Sequence, residues 1–180
     1  MATLHIFDFD DTLVRADDMI RITHPDGSQE ALSSSEYARY QPTGEEEFDF
    51  SDFDQYPINP RIIEEVFAEL RAAIALDGPE SVAILTARSN PEPVRQFLAD
   101  NNVSGIEIHA TGSPAAMKKA RYVLNRVVNE DFDEVRVFED NVKNIRTIKK
   151  VVEPTGIRLQ TNRVTRQGIR TESSRRRARG

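Results

Sequence analysis

At 180 residues the chain has one domain's length, enough to bury a core without covalent staples. It contains no cysteine, which excludes disulfides and any thiolate nucleophile or metal ligand and fits a reducing cytoplasm. The net charge of −6 is uneven: residues 158–180 hold eight arginines and one acid, leaving an acidic body of −13 and a tail of +7. Such a body argues against a broad nucleic-acid-binding face, while the tail could supply a small one. The N-terminal stretch reaches acids by Asp8 and lacks the basic start of a secretory signal. No apolar run approaches the ~18 residues of a membrane span, so no membrane partner is expected.

Short apolar runs alternate with helical patterns along the chain, which predicts a parallel sheet covered on both faces. Leu4-His5-Ile6-Phe7 reads as a first buried strand ending in acids. Residues 15–58 fit the rhythm poorly. Met19-Ile20-Arg21-Ile22, the turn His24-Pro25-Asp26-Gly27-Ser28 and a following short strand predict a β-hairpin. Beyond it, Glu45 to Asp54 reads as an acidic loop whose aromatics pack down while its acids stay solvated. Asn59-Pro60 predicts a helix start, followed by an apolar stripe through Ile62, Val66, Leu70 and Ile74 and a stop at Gly78.

Val82-Ala83-Ile84-Leu85 is the second expected strand, and Asn90-Pro91 opens the next helix. Ile106 to His109 gives a third strand, and Ser113-Pro114 caps a helix through Met117, Ala120, Leu124 and Val127. A fourth strand, Val135 to Phe138, precedes a helix through Val142, Ile145 and Ile148; Gly156 to Leu159 is a short fifth strand. The expectation is a three-layer α/β/α domain over residues 1–161 with an insert at about 15–58. Residues 162–180 show little apolar periodicity and are expected to be a disordered basic tail.

Four strand ends carry candidate chemistry. The first is Asp8-Phe9-Asp10-Asp11-Thr12, an Asp-x-Asp-x-Thr directly after a strand, where ligands gather in open α/β sheets. Two carboxylates so close repel unless a cation or proton separates them, which is the physical demand for magnesium. The second is Thr86-Ala87-Arg88, the third the pair Lys118-Lys119 near a helix start, and the fourth Glu139-Asp140 with Asn144 four residues after Asp140.

In this order the four segments resemble the motifs of the haloacid dehalogenase superfamily, over about residues 3–160. The resemblance implies a Rossmann-like domain with a five-stranded, mainly parallel sheet of order 5-4-1-2-3 and a small hairpin flap after the first strand. It implies a phosphatase in which Asp8 attacks phosphorus and Asp10 is the general acid and base. Thr86 and Lys119 would bind the phosphoryl group, with Lys119 matching the family register better than Lys118. Arg88 would contact substrate or cap a loop. Asp8, the backbone carbonyl of Asp10, and Asp140 would hold Mg2+, with Glu139 bound directly or through water. Thr12 would brace the loop and Asn144, where many members have Asp, would support the metal site; Asp11 has no implied role.

The gap from Arg88 to Lys119 has no room for a cap domain, so the site is expected to be open. In this superfamily open sites go with large substrates, or with small ones screened by an oligomeric partner. The first motif, Thr-x-Arg and late acidic pair are also distantly similar to the phosphatase half of polynucleotide kinase-phosphatases. A phosphorylated polynucleotide or nucleotide is therefore the leading expected substrate, with the basic tail as a backbone contact. The alternatives are a small-metabolite phosphatase and a noncatalytic module that binds RNA or an acidic protein through Arg175-Arg176-Arg177. His5 is expected to pack in its strand, His24 to sit in a turn, and His109 could reach the crevice.

Overall fold

The computed structural model describes residues 2–174. In chain order the strands and helices begin with β1 (Thr3–Phe7), β2 (Val14–Arg15), β3 (Met19–Thr23), β4 (Gln29–Ser33), α1 (Ser34–Tyr37) and β5 (Glu47–Asp49). They continue with β6 (Arg61–Ile62), α2 (Glu64–Asp77), β7 (Val82–Thr86), α3 (Glu92–Asp100), β8 (Glu107–Ala110) and α4 (Ala116–Asn129). The last are β9 (Glu134–Glu139), α5 (Val142–Val152), β10 (Arg158–Thr165) and β11 (Gly168–Ser173).

The main sheet has six strands in the order β11-β10-β9-β1-β7-β8. All neighbours pair in parallel except β10 and β11. Alternation along β1 assigns its two faces, as the pleat requires. Leu4 and Ile6 join a core with Ala120, Val123 and Val127 of α4 and Ile148 and Val152 of α5. Phe7 joins the other core with Val66, Phe67 and Leu70 of α2 and Val94, Phe97 and Leu98 of α3. Helices therefore cover both faces of the sheet. Phe7 and Phe138, register partners on β1 and β9, stack with centroids 4.6 Å apart at the centre.

His5 is a satisfied core histidine. Its Nε2 lies 2.6 Å from Asp77 and its Nδ1 3.3 Å from the Arg136 guanidinium. His24 pairs with Glu30 across the β3–β4 hairpin, and His109 stacks on Tyr122 at 4.3 Å.

Three sequence expectations need correction. The helix expected from Asn59-Pro60 starts only at Glu64. Asn59 has a left-handed φ of 47°, and Arg61–Ile62 are taken up in pairing with Val14–Arg15. That ladder zips the entry of the insert to its exit, because two edge segments left unpaired would strand backbone polar groups. Next, the acidic stretch is no mere loop. Glu47–Asp49 pairs antiparallel with β3, completing a three-stranded sheet in the order β4-β3-β5. Tyr37, Tyr40, Phe48 and Phe50 contact one another on it, and Asp52 pairs with Arg21 at 2.9 Å.

Finally, residues 162–173 are ordered sheet. β10 runs on to Thr165 and turns back into β11, adding a sixth, antiparallel strand. Val164 is buried in the same core cluster as Phe7 and Phe138, and Asn162 donates to the Val137 carbonyl while accepting from the Thr171 hydroxyl. Between residues 162 and 173 only Val164 and Ile169 are apolar, too sparse a pattern to register in the sequence; backbone pairing of β11 with β10, and of Asn162 and Arg163 with β9, holds the segment. The remaining tail, with Arg175, Arg176, Arg177 and Arg179, lies outside the described residues. Relative to a chain ending at Ser174, one ending at Asn162 loses β11 and the buried Val164. It should be about 2–4 kcal/mol less stable and melt roughly 5–15 °C lower by differential scanning calorimetry.

Candidate functional site

Because β1, β7, β8 and β9 run parallel, their carboxyl ends share one edge of the sheet. Asp8 follows β1, Thr86 ends β7, and Glu139 and Asp140 end and follow β9. Topology thus gathers residues up to 132 positions apart, and the side chains of Asp8, Glu139 and Asp140 meet. The backbone N–H of Asp8 donates to the Phe138 carbonyl at 3.0 Å, locking the ends of β1 and β9 together. Asp11 then adopts a left-handed φ of 62°, which turns the chain at once back toward β2. In that turn the Thr12 hydroxyl lies 3.2 Å from both an Asp8 and an Asp140 oxygen.

Lys119, in the first turn of α4, supplies the opposing charge. Its Nζ donates to Asp8 at 2.8 Å and to Glu139 at 2.9 Å. Lys119 is 3% exposed, whereas Lys118 is exposed to solvent. Burial alone would lower the lysine, but the two carboxylates outweigh it and hold the ammonium well above its usual range. Burial likewise acts to raise Asp8, and there the nearby Lys119 wins, keeping that carboxyl below the usual carboxylate range.

The other two acids go the opposite way. Burial, then repulsion from Asp8, pushes Glu139 up to about 7 despite Lys119. Burial, with Glu139 and Asp8 beside it, raises Asp140 well above the carboxylate range. One ammonium does not neutralise three carboxylates. Asp8, Glu139 and Asp140 each offer an oxygen, all within 4.8 Å of one another, a donor set suited to a hard divalent cation.

Arg88 is the residue whose place the sequence leaves open between substrate contact and loop cap. Its guanidinium has five N–H groups and all five are used. Nε and one terminal nitrogen grip Asp10 bidentately, at 2.9 and 2.8 Å. That nitrogen also donates to Asp18 at 2.8 Å, and the other donates to the Phe53 and Gln55 carbonyls at 3.1 and 3.2 Å. The expected phosphate contact by Arg88 is therefore not available in this arrangement. Arg88 instead clamps Asp10 to three points of the insert. Asp18, which the sequence did not single out, completes the clamp by accepting the Ile58 N–H with its second oxygen. Its only sequence signal is an acid at the mouth of an insert, which is no signal at all.

Thr86 is buried, and its hydroxyl oxygen accepts the Arg88 N–H at 3.2 Å. Asn144, on the first turn of α5, is buried at the same cleft. Asp11 is engaged too, accepting a hydrogen bond from the Ser34 hydroxyl at the start of α1. The cleft over these groups encloses about 440 Å³. It is walled by the strand-end loops and by the insert.

The clamp makes a testable demand. Arg88→Lys leaves at most three donors for five acceptor atoms, three of them carboxylate oxygens of Asp10 and the buried Asp18. The variant should lose about 2–4 kcal/mol in urea unfolding and expose the segment around Phe53–Ile58 to limited proteolysis. Wild-type stability would mean that the clamp carries no strain-bearing role. No family model, curated protein or solved structure matches this chain, so its function rests on the chemistry of this site.

Proposed function

We propose that the protein is a magnesium-dependent phosphomonoester hydrolase of the haloacid dehalogenase superfamily. One observation carries the reading: a buried lysine bridges the Asp8 and Glu139 carboxylates at two strand ends, with Asp140 against them. A nucleophilic carboxylate must be ionised and aimed, and Lys119 with Thr12 does both for Asp8. The same ammonium would balance charge on an incoming phosphoryl group.

In this reading an Asp8 oxygen bonds to phosphorus as the ester oxygen leaves, and Asp10 gives that oxygen its proton. Asp10 then takes a proton from water, whose oxygen attacks phosphorus and restores Asp8 with release of orthophosphate. The bidentate grip of Arg88 is compatible with this traffic, because each carboxylate oxygen keeps a second lone pair. Thr86 would donate its hydroxyl to a phosphoryl oxygen. Asp8 and Asp140 would hold Mg2+, with Glu139 beside them and Asn144 in support. The cation supplies charge neutralisation where the carboxylates and the phosphoryl oxygens converge.

Asp8→Asn should stay folded by circular dichroism yet lose at least ~10³-fold in phosphate release from a chromogenic ester. A folded variant with wild-type turnover overturns the covalent reading. Magnesium at about 100 times its Kd should raise the melting temperature by roughly 5–10 °C, since the unfolded chain lacks the site. Asp140→Asn should abolish most of that rise; an equal rise in both proteins places the ion elsewhere.

A further inference from the structure

The part of the cleft away from the carboxylates is built from rings. The insert supplies Tyr37, Tyr40, Phe50 and Phe53 to the lining. Tyr37 stands edge-on to Phe50, with centroids 5.5 Å apart at 84°, and parallel to Tyr40 at 6.4 Å. These contacts fix the rings in orientation without burying them, and Phe50 remains 40% exposed. The same cleft is also lined by the short side chains of Ala87 and Ala116 and by Gly112.

Charge narrows what could fill it. Six carboxylates line the cleft. Of its cations, Lys119 is committed to Asp8 and Glu139, and Arg88 has no donor left. Lys143 is the one other cation among the described lining residues, and no acid is paired with it there. Asp8 and Glu139 share Lys119 and Asp10 is held by Arg88, so beyond those pairs a polyanionic backbone would find an acidic lining and one exposed lysine. A single phosphate beside Lys119 needs one cation to balance it, and an uncharged planar ring joined to it gains stacking partners at the other end of the cleft.

We propose that the insert's aromatic wall selects phosphate monoesters whose leaving group carries a planar aromatic ring, of about nucleoside monophosphate size, with Tyr37 and Phe50 as specificity-determining residues. The proposal rests on the phosphatase reading for the phosphate end of the substrate. Its own content is the ring end.

The test measures kcat/KM with magnesium for a purine nucleoside 5′-monophosphate, glycerol phosphate and a 3′-phosphorylated octanucleotide. The proteins are wild type, Tyr37→Leu, Phe50→Leu and Tyr37→Phe, each checked for its melting temperature. Wild type should prefer the mononucleotide over glycerol phosphate by about tenfold or more, chiefly in KM. That ratio should collapse toward one in both leucine variants and survive in Tyr37→Phe, which keeps the ring.

Equal turnover of glycerol phosphate and mononucleotide by wild type leaves the phosphatase reading standing and overturns the ring proposal. Preference for the octanucleotide overturns it in favour of a polynucleotide substrate. If no ester is turned over, binding of the unphosphorylated nucleoside is followed by NMR. Saturable binding that Tyr37→Leu abolishes supports the ring site while the phosphatase reading falls, and absent binding overturns both.

Discussion

Three carboxylates crowd the point where β1 and β9 end, and a buried ammonium is what makes that crowding tolerable. Without Lys119, Asp8 and Glu139 would face each other and Asp140 with no cation between them. With it, one acid of the three is held firmly ionised, while Glu139 and Asp140 are driven toward protonation. The arrangement is polarised by design of the fold: a single cation enters from α4, and the sheet brings the acids to meet it. A site so short of positive charge is one that a divalent cation and a phosphoryl group can complete together. Everything proposed about its chemistry follows from that imbalance.

The second organising contact is Arg88, which links the strand-end chemistry to the insert. Its planar fork reaches two carboxylates and two backbone carbonyls at once, a task lysine's point charge cannot copy. The insert is also zipped at its base by the β2–β6 ladder and by Asp18 on the Ile58 N–H. Further out, α1, the segment after it and the turn after β5 lay their rings along the cleft. Asp10 and the aromatic wall are consequently held by one connected set of hydrogen bonds, so the orientation of the acid and the position of the wall are coupled through a side chain that need not touch substrate.

Much of the main sheet is legible in the residue order. Apolar runs of four to six residues punctuated by amphipathic segments require buried strands and covering helices, whatever the details. Legibility fails where local pattern and tertiary pairing disagree. Arg61 and Ile62 look like the first turn of a helix, because Asn59-Pro60 precedes them and Ile62 falls on the stripe. They are strand, because Val14 and Arg15 need partners. The β10–β11 hairpin carries four exposed arginines and few apolar residues, so composition reads it as tail. Yet β9 offers it an open edge, and backbone hydrogen bonds do not depend on side-chain hydropathy. Glu47–Asp49 is strand for the same reason, beside β3.

Local signals were enough for the parallel core and for the acids at its strand ends: burial is written in apolar runs, and charge is placed directly after them. The sequence also marked Lys119 as a candidate, but not that its ammonium would be shared between Asp8 and Glu139. That Arg88 spends all its donors on Asp10, Asp18 and two insert carbonyls, and that Tyr37 and Phe50 stand at the cleft, came from folding. Those facts depend on contacts between segments 13 to 78 residues apart. The distances and directions of such contacts are set by packing the whole chain, and no window of sequence contains them.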